Sequence, residues 1–276
     1  MTETLFEFNA NDFCIFHKLD RVPPSTHNTM HTHENIELYY FLSGDCRYLV
    51  EGTEYPLYKG DIMIMRPLEA HHLLVCSGTV PYERIVANIQ PDLLSNLDPE
   101  NLILKHIFER PLGRLNRFDT AAFTHTRCAD VMTEIATYGR EMCHIDILSR
   151  LLFVLSEIDR ASKHISYNPK KGNIGDRIID YVNENLFKDI SLKQISEVFF
   201  LSQSQINRIF KKSTGSSVGQ YITAKRLITA RNRIRTGEAV IKVSEECGYE
   251  DYSSFYRSYK ARFGCSPQED KRSAEE

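Results

Sequence analysis

A short run near the start of the chain carries side chains capable of more than packing. His31 and His33 stand two residues apart, Glu37 follows four later, and Tyr39 and Phe41 continue the alternation. In an extended strand, residues two apart share a face, so all five would point one way. Imidazole and carboxylate groups together suit a divalent metal. They equally suit hydrogen bonds to a small polar ligand such as a sugar, beside the flat apolar surface of an aromatic ring. A third reading is structural: polar side chains at the mouth of a barrel, satisfied by their neighbours. The residues themselves leave all three open.

The elements that would hold this run are strands. Short apolar or alternating stretches fall at Phe13–His17, Ile36–Leu42, Tyr48–Glu51, Ile62–Met65, His72–Cys76 and Tyr82–Ile89. Turn signals separate them at Ser43-Gly44-Asp45, Glu51-Gly52-Thr53, Lys59-Gly60-Asp61 and Ser77-Gly78. Many short strands at close spacing predict a small barrel or sandwich. The segment His31-x-His33-x3-Glu37-x6-Gly44, followed by Gly60-Asp61 and Pro67-x3-His71, resembles the two signature motifs of the cupin barrel. The second motif has an extra residue between Gly60 and Pro67 and lacks a glycine before His71. The resemblance adds His71 to the possible metal set of His31, His33, Glu37 and His71. The corresponding effector-binding set is His31, His33, Glu37, Tyr39 and His71.

Residues 91–165 read as helical. Pro91 opens one stretch, Pro99 to Arg110 is another, and Asp119 to Tyr138 a third. From Glu141 to Lys163 two apolar stripes run together: Ile145, Leu148, Leu152 and Leu155 on one, and Ile147, Leu151, Val154 and Ile158 on the other. One stripe packing on the barrel would leave the other for a second copy of the chain; a helix buried on both sides within one domain is the alternative. Ser166 to Gly175, SYNPKKGNIG, has linker composition.

The C-terminal third is organised by capping signals. Ser191 with Gln194, Ser202 with Gln205, and Ser217 with Gln220 each form an S-x-x-Q capping box, while Gly215 and Gly237 supply stops. The first two boxes open two short helices around a tight break near Phe200 and Leu201, a helix-turn-helix layout. The first has Leu192, Ile195 and Val198 as its apolar positions, and the second Ile206, Ile209 and Phe210. The third box opens a rod to Thr236, with Lys225, Arg226, Arg231, Arg233 and Arg235 as a basic surface. At 1.5 Å per residue it spans roughly 30 Å, close to one turn of B-DNA. Beyond the rod the pattern returns: Ile195-Ser196-Glu197 matches Val243-Ser244-Glu245, Arg208 matches Arg257, Phe210-Lys211 matches Tyr259-Lys260, and Gly215 matches Gly264. Gly248 marks the second turn.

On these residues, Ser191 to Pro267 resembles the tandem helix-turn-helix domain of the AraC-type transcription regulators. The carrying motifs are Ser202-x5-Arg208-Ile209-Phe210-Lys211-Lys212-x2-Gly215, Tyr221-x4-Arg226-Leu227-x2-Ala230, and Gly248-Tyr249-x3-Ser253-x-Phe255-x3-Tyr259-Lys260-x2-Phe263-Gly264-x-Ser266-Pro267. Ser196 and Ser244 stand where the family usually has Ala, and Tyr249 and Tyr259 where Phe is usual. The resemblance implies that the base-facing positions are Ser204, Asn207 and Arg208, with Gln203 beside them, and then Tyr252, Ser253, Ser254 and Arg257. Arg suits guanine and Asn suits adenine, both bidentately, while Ser serves either base. Lys211, Lys212 and Lys260 suit phosphates, which position without specifying sequence. AraC-type regulators often carry a cupin-like barrel.

Charge follows the same division. From Lys170 onward there are 19 Lys and Arg against 14 Asp and Glu, leaving 15 against 23 for the rest of this chain of net charge −3. A basic half beside an acidic half suits a DNA binder joined to a module that does not face DNA. Seven cysteines without a C-x-x-C pair argue against a disulfide framework or a zinc finger. Neither a membrane span nor a signal peptide is apparent, so a cytoplasmic location is expected. The expected fold class is α+β. Residues 1–90 form a cupin-like sensing barrel, 91–165 a helical dimerisation segment, 166–175 a linker, and 176–276 an all-α tandem helix-turn-helix domain. The expected function is a non-enzymatic, sequence-specific transcription regulator, an activator answering a small molecule. Its expected partners are double-stranded DNA, a second copy of itself and RNA polymerase. A metal-sensing regulator, or a metal-dependent cupin enzyme with an accessory DNA-binding domain, is the alternative. No cofactor is required, though a divalent metal in the barrel is possible on the residues.

Overall fold

The computed structural model describes residues 2–23, 31–98, 108–163 and 173–275. The helix expected over Pro99 to Arg110 and the linker expected over Ser166 to Gly175 lie largely outside these residues. By spatial contact, residues 2–23, 35–98 and 108–163 form one compact unit, and residues 31–34 with 173–275 form the other.

The first unit is two antiparallel sheets with helices on one side. The strands are β1 (Thr2–Asn9), β2 (Phe13–Asp20), β3 (Ile36–Ser43), β4 (Cys46–Val50), β5 (Thr53–Pro56), β6 (Ile62–Met65), β7 (His71–Val75), β8 (Tyr82–Ile89) and β9 (Arg117–Phe118). The larger sheet runs β1-β2-β8-β3-β6-β9 and the smaller β5-β4-β7. The turn between β4 and β5 needs Gly52 at φ 82°, a conformation that costs a side-chain-bearing residue. Strand alternation in β3 sorts its residues onto two cores. Tyr39 and Phe41 meet Tyr48, Val50 and Leu73 of the smaller sheet, forming the core between the sheets. Helix α1 (Pro91–Leu97) follows β8. Ile36, Leu38 and Tyr40 point the other way, toward helices α2 (Cys128–Tyr138) and α3 (His144–Ser162).

On α3 the two apolar stripes have different fates. Ile147, Leu151, Val154 and Ile158 are all buried in the core under the large sheet, and Leu155 joins them. Burying each such side chain contributes about 1.5–3 kcal/mol. Leu148 and Leu152 are only half-buried, and Ile145 is exposed. The helix expected from Asp119 begins later. Asp119 caps a single 3-10 turn at Thr120–Phe123, and α2 starts at Cys128. Strands β1, β5 and β9 were not foreseen. A register shift between Thr4 and Phe6 interrupts the alternation of β1, and β9 is only two residues long.

The second unit is helical: α4 (Ile174–Glu184), α5 (Leu192–Phe199), α6 (Gln203–Thr214), α7 (Val218–Arg235), α8 (Val240–Glu246), α9 (Tyr252–Phe263) and α10 (Pro267–Glu275). All three S-x-x-Q boxes close as expected, each serine accepting from the N3 amide while the glutamine reaches back to the cap. Ile195, Ile206 and Phe210 are buried, and Leu227, Ile234, Val243, Phe255 and Tyr259 belong to one core around α7. Val198 departs from the expected apolar face of α5: it is exposed, and the ring of Phe199 is the one that packs, edge-on against Tyr181.

Candidate functional site

In each helix-turn-helix copy the second helix is anchored by one face and bare on the other. Ser202 caps α6 and Asp251 caps α9, each accepting from an amide of the first turn. The buried pairs Ile206–Phe210 and Phe255–Tyr259 fix which side turns inward. Gln203, Ser204, Arg208, Lys211 and Lys212 are consequently exposed on α6, and Tyr252, Ser253, Arg257 and Lys260 on α9. Ser254 is half-buried; its amide completes the Asp251 cap and its hydroxyl accepts from Arg257 Nη2 at 3.2 Å. Asn207 differs from its neighbours. It is half-buried, and its Oδ1 accepts from the amide of Val218 at 3.3 Å, tying α6 to the start of α7. That bond occupies the oxygen which a bidentate contact to adenine would use.

The rod's basic surface is largely spent inside the protein, against expectation. Lys225 is 2% exposed, donates to Asn183 Oδ1 at 2.9 Å and lies 4.7 Å from the ring centroid of Tyr221. Arg226 donates to three backbone carbonyls. Arg231 bonds Asp270 through Nε at 2.5 Å, and Arg233 bonds Glu238 and Glu246. Arg235 alone of the five is exposed. α7 is therefore largely a scaffold, while α6 carries Arg208, Lys211 and Lys212, and α9 Arg257 and Lys260, as exposed bases that could meet phosphate.

In the first unit, β3 and β7 bring Glu37 and His71 together. Glu37 Oε1 accepts from Tyr48 Oη at 2.9 Å, and Glu37 Oε2 lies 3.7 Å from His71 Nε2. His71 is fully buried, with Nδ1 2.7 Å from the carbonyl oxygen of Glu69. A carbonyl only accepts, so that nitrogen carries the proton and Nε2 of the neutral ring offers a lone pair toward the carboxylate. Two electron-rich atoms face each other stably only with a cation between them, either a second proton or a metal ion. Burial pushes His71 toward its neutral form, but the Glu37 carboxylate outweighs that and holds its pKa above the ordinary value.

Of the expected set His31, His33, Glu37 and His71, the first unit holds Glu37 and His71, while His31 and His33 fall in the second. His31 and His33 precede β3 rather than continuing it, so strand alternation does not place them on its face, against expectation. Tyr39 is also differently engaged from expectation. It is buried, its hydroxyl is 2.7 Å from that of Tyr82, and its ring meets Tyr48 edge-on.

Sequence reasoning missed the support behind His71. Glu69 accepts from both Arg110 Nη atoms at 2.6 and 2.7 Å, from Gly113 N at 2.9 Å and from Asn116 Nδ2 at 2.9 Å. Burial raises its pKa, but Arg110 outweighs burial and keeps it below the ordinary value. The network pins the backbone whose carbonyl orients His71, the kind of outer contact that sets an imidazole's tautomer.

The second unit is thus a pair of capped recognition helices on a shared scaffold, a DNA-binding module. Residues 195–273 match the helix-turn-helix domain family and residues 18–86 the cupin domain family. The chain is 31% identical over 91 residues to the multiple antibiotic resistance protein MarA of Escherichia coli, covering 33% of this chain and 72% of MarA. It is 26% identical over 218 residues to the probable transcriptional regulator LumQ of Photobacterium leiognathi, covering 78% and 88%. To the transcriptional activator RhaS of Mannheimia succiniciproducens it is 24% identical over 257 residues, covering 87% of each. The chain belongs to the AraC-type transcription regulators, and it is a DNA-binding regulator with an N-terminal cupin domain.

Proposed function

We propose that each chain reads two successive major-groove segments, one with α6 and one with α9. Base contacts come from Gln203, Ser204 and Arg208 in the first copy and from Tyr252, Ser253, Ser254 and Arg257 in the second. Asn207 reaches a base only if it gives up Val218. Lys211, Lys212 and Lys260 hold phosphates. The observation that carries this reading is the matched exposure of both helix faces above buried apolar anchors. Arg208→Ala should weaken binding to a duplex selected by the wild-type protein by about 1–3 kcal/mol and relax preference at one base pair. Equal losses on selected and random DNA would move Arg208 to the phosphate class.

The barrel reading is a sensor for a divalent cation or a ligand anchored by one. Glu37 and His71, with His31 and His33 added by the resemblance to the cupin motif, would hold the ion, which supplies positive charge to neutralise the carboxylate and to attract an anionic or hydroxylated effector. The facing of His71 Nε2 and Glu37 Oε2 favours this over a sugar bonded to Tyr39, whose hydroxyl already pairs with Tyr82. Calorimetric titration with Zn²⁺ and Mn²⁺ should give one site per chain, weakened more than tenfold in His33→Ala. Binding of neutral sugars with no affinity for either ion would reverse the choice.

The regulator acts as a homodimer through α3, with the half-buried Leu148 and Leu152 and the exposed Ile145 against a second copy. Leu148→Glu should then abolish sedimentation as a dimer while the fold persists. Leu151→Glu should instead unfold the first unit, because Leu151 is in its core. A wild-type protein monomeric at every concentration, with and without DNA and metal, would remove the proposal. Activation through RNA polymerase is the output that fits the likeness to RhaS.

A further inference from the structure

Arg226 donates through all three of its guanidinium nitrogens to backbone carbonyls. Nε donates to the carbonyl of Leu186 at 2.7 Å, Nη2 to that of Lys188 at 2.6 Å and Nη1 to that of Gly248 at 2.7 Å. The first two carbonyls belong to the connection between α4 and α5, which leads into the first helix-turn-helix copy. The third lies at the turn between α8 and α9, in the second copy. One planar, charged fork therefore bonds at once the segment that leads into the first copy and the turn of the second, from the middle of α7, with geometry that a lysine ammonium cannot reproduce.

The surroundings are built to this fork. Gly248 sits at φ 83°, and a Cβ there would lie 2.8 Å from Arg226 Cζ, 2.9 Å from Nη2 and 3.0 Å from the Phe187 carbonyl oxygen. The second turn thus closes directly onto the guanidinium. The outward bare faces of α6 and α9 leave Arg226 out of the DNA-facing set. Its bonds join the pieces that carry those helices.

We propose that Arg226 is a positioning residue that fixes the two recognition helices relative to one another, so that the regulator accepts only one spacing between its two major-groove segments. The inference rests on the reading of α6 and α9 as a pair of DNA readers. It assigns the spacing to a specific clamp rather than to the length of α7 alone.

The test uses the full chain and the duplex that wild-type protein selects from a randomised pool, together with versions carrying one base pair added or removed between the two protected segments. Each such change shifts the second segment by about 3.4 Å and about a tenth of a turn. Wild type should lose at least tenfold in affinity on both altered duplexes. Arg226→Gln, and independently Arg226→Lys, should lose about tenfold on the unaltered duplex yet discriminate among the three spacings by less than threefold. A general loss of fold would lower all affinities in proportion, so flattened discrimination separates positioning from stability. Should Arg226→Gln fail to fold, by circular dichroism, Arg226→Lys decides the matter. A folded variant that keeps wild-type discrimination overturns the proposal. A wild-type protein that protects one segment, or is indifferent to spacing, would instead bring down the two-reader reading beneath it.

Discussion

The two helix-turn-helix copies turn the chain at equivalent residues and fill the turn in opposite ways. In the first, Leu201 N donates to Ser196 O at 3.1 Å; in the second, Tyr249 N donates to Ser244 O at 3.1 Å. The residue four after each serine is left-handed: Phe200 at φ 54° and Gly248 at φ 83°. Phe200 is 93% exposed, so its side chain has room and the chain bears only the local cost of the conformation. Gly248 has no such room, because the guanidinium of Arg226 occupies the place where a side chain would begin. The same backbone bend is therefore a matter of tolerance in one copy and of necessity in the other. The caps differ too. Both helices of the first copy have side-chain caps, whereas in the second only α9 has one, from Asp251, and α8 begins at Ala239 with none.

That asymmetry can be broken most forcefully at the turns. Gly248→Ala should cost about 2–4 kcal/mol, combining left-handed strain with displacement of Arg226. Phe200→Gly should stay within about 1 kcal/mol of wild type, since strain relief offsets the added freedom of the unfolded chain. Thermal unfolding of the two variants side by side checks the pair, and similar melting temperatures would show that the turns are equivalent after all.

A smaller effect should come from an anchor of the second copy. Asp270 of α10 accepts from Arg231 Nε at 2.5 Å and from Tyr259 Oη at 2.8 Å. Burial raises its carboxyl pKa, but Arg231 and Tyr259 outweigh burial and set it below the ordinary 3.8. A carboxyl depressed by folding contributes fully above its unfolded value, and the contribution vanishes as pH falls through the lower folded value. Asp270→Asn should cost about 2 kcal/mol near neutrality, the scale of a hydrogen bond to a charged group. It should also flatten the loss of stability below about pH 4. Denaturant melts at pH 7 and pH 3 measure both, and parallel pH profiles for variant and wild type would count against the anchor. Smallest of all, Ala239→Ser should add about 0.5–1 kcal/mol by supplying the missing cap. A null or negative change would mean that α8 is set by packing alone.

The comparison also shows what could be read before the structure. Ser191, Ser202 and Ser217 announced their helices because a cap and its partner lie three residues apart, and local chemistry survives in the linear chain. Asp119 caps only a 3-10 turn, and the helix expected from it starts at Cys128. Pro91 was legible because its ring presets the first turn of a helix. Lys225 and Arg226 were not, because helical spacing assigns a residue to a face without saying what stands against it. The first meets Asn183 and the second three carbonyls, contributed by distant parts of the unit. In the barrel, the alternation of Glu37, Tyr39 and Phe41 was visible and the cupin resemblance grouped His71 with Glu37, while Tyr48 as a partner of Glu37 was not foreseen. Tyr48 and His71 reach it from the opposite sheet, and Glu69 is held by Arg110, forty-one residues on. His31 and His33 lie ahead of the strand, where alternation has no force.

The central claim is that both copies read DNA. Methylation interference on a duplex selected by the wild-type protein, repeated with Arg208→Ala and with Arg257→Ala, tests it directly. The account predicts two protected major-groove segments about one helical turn apart for each chain. Arg208→Ala should relieve interference in one segment only, and Arg257→Ala in the other only. A single protected segment per chain, or both variants relieving the same bases, would contradict it.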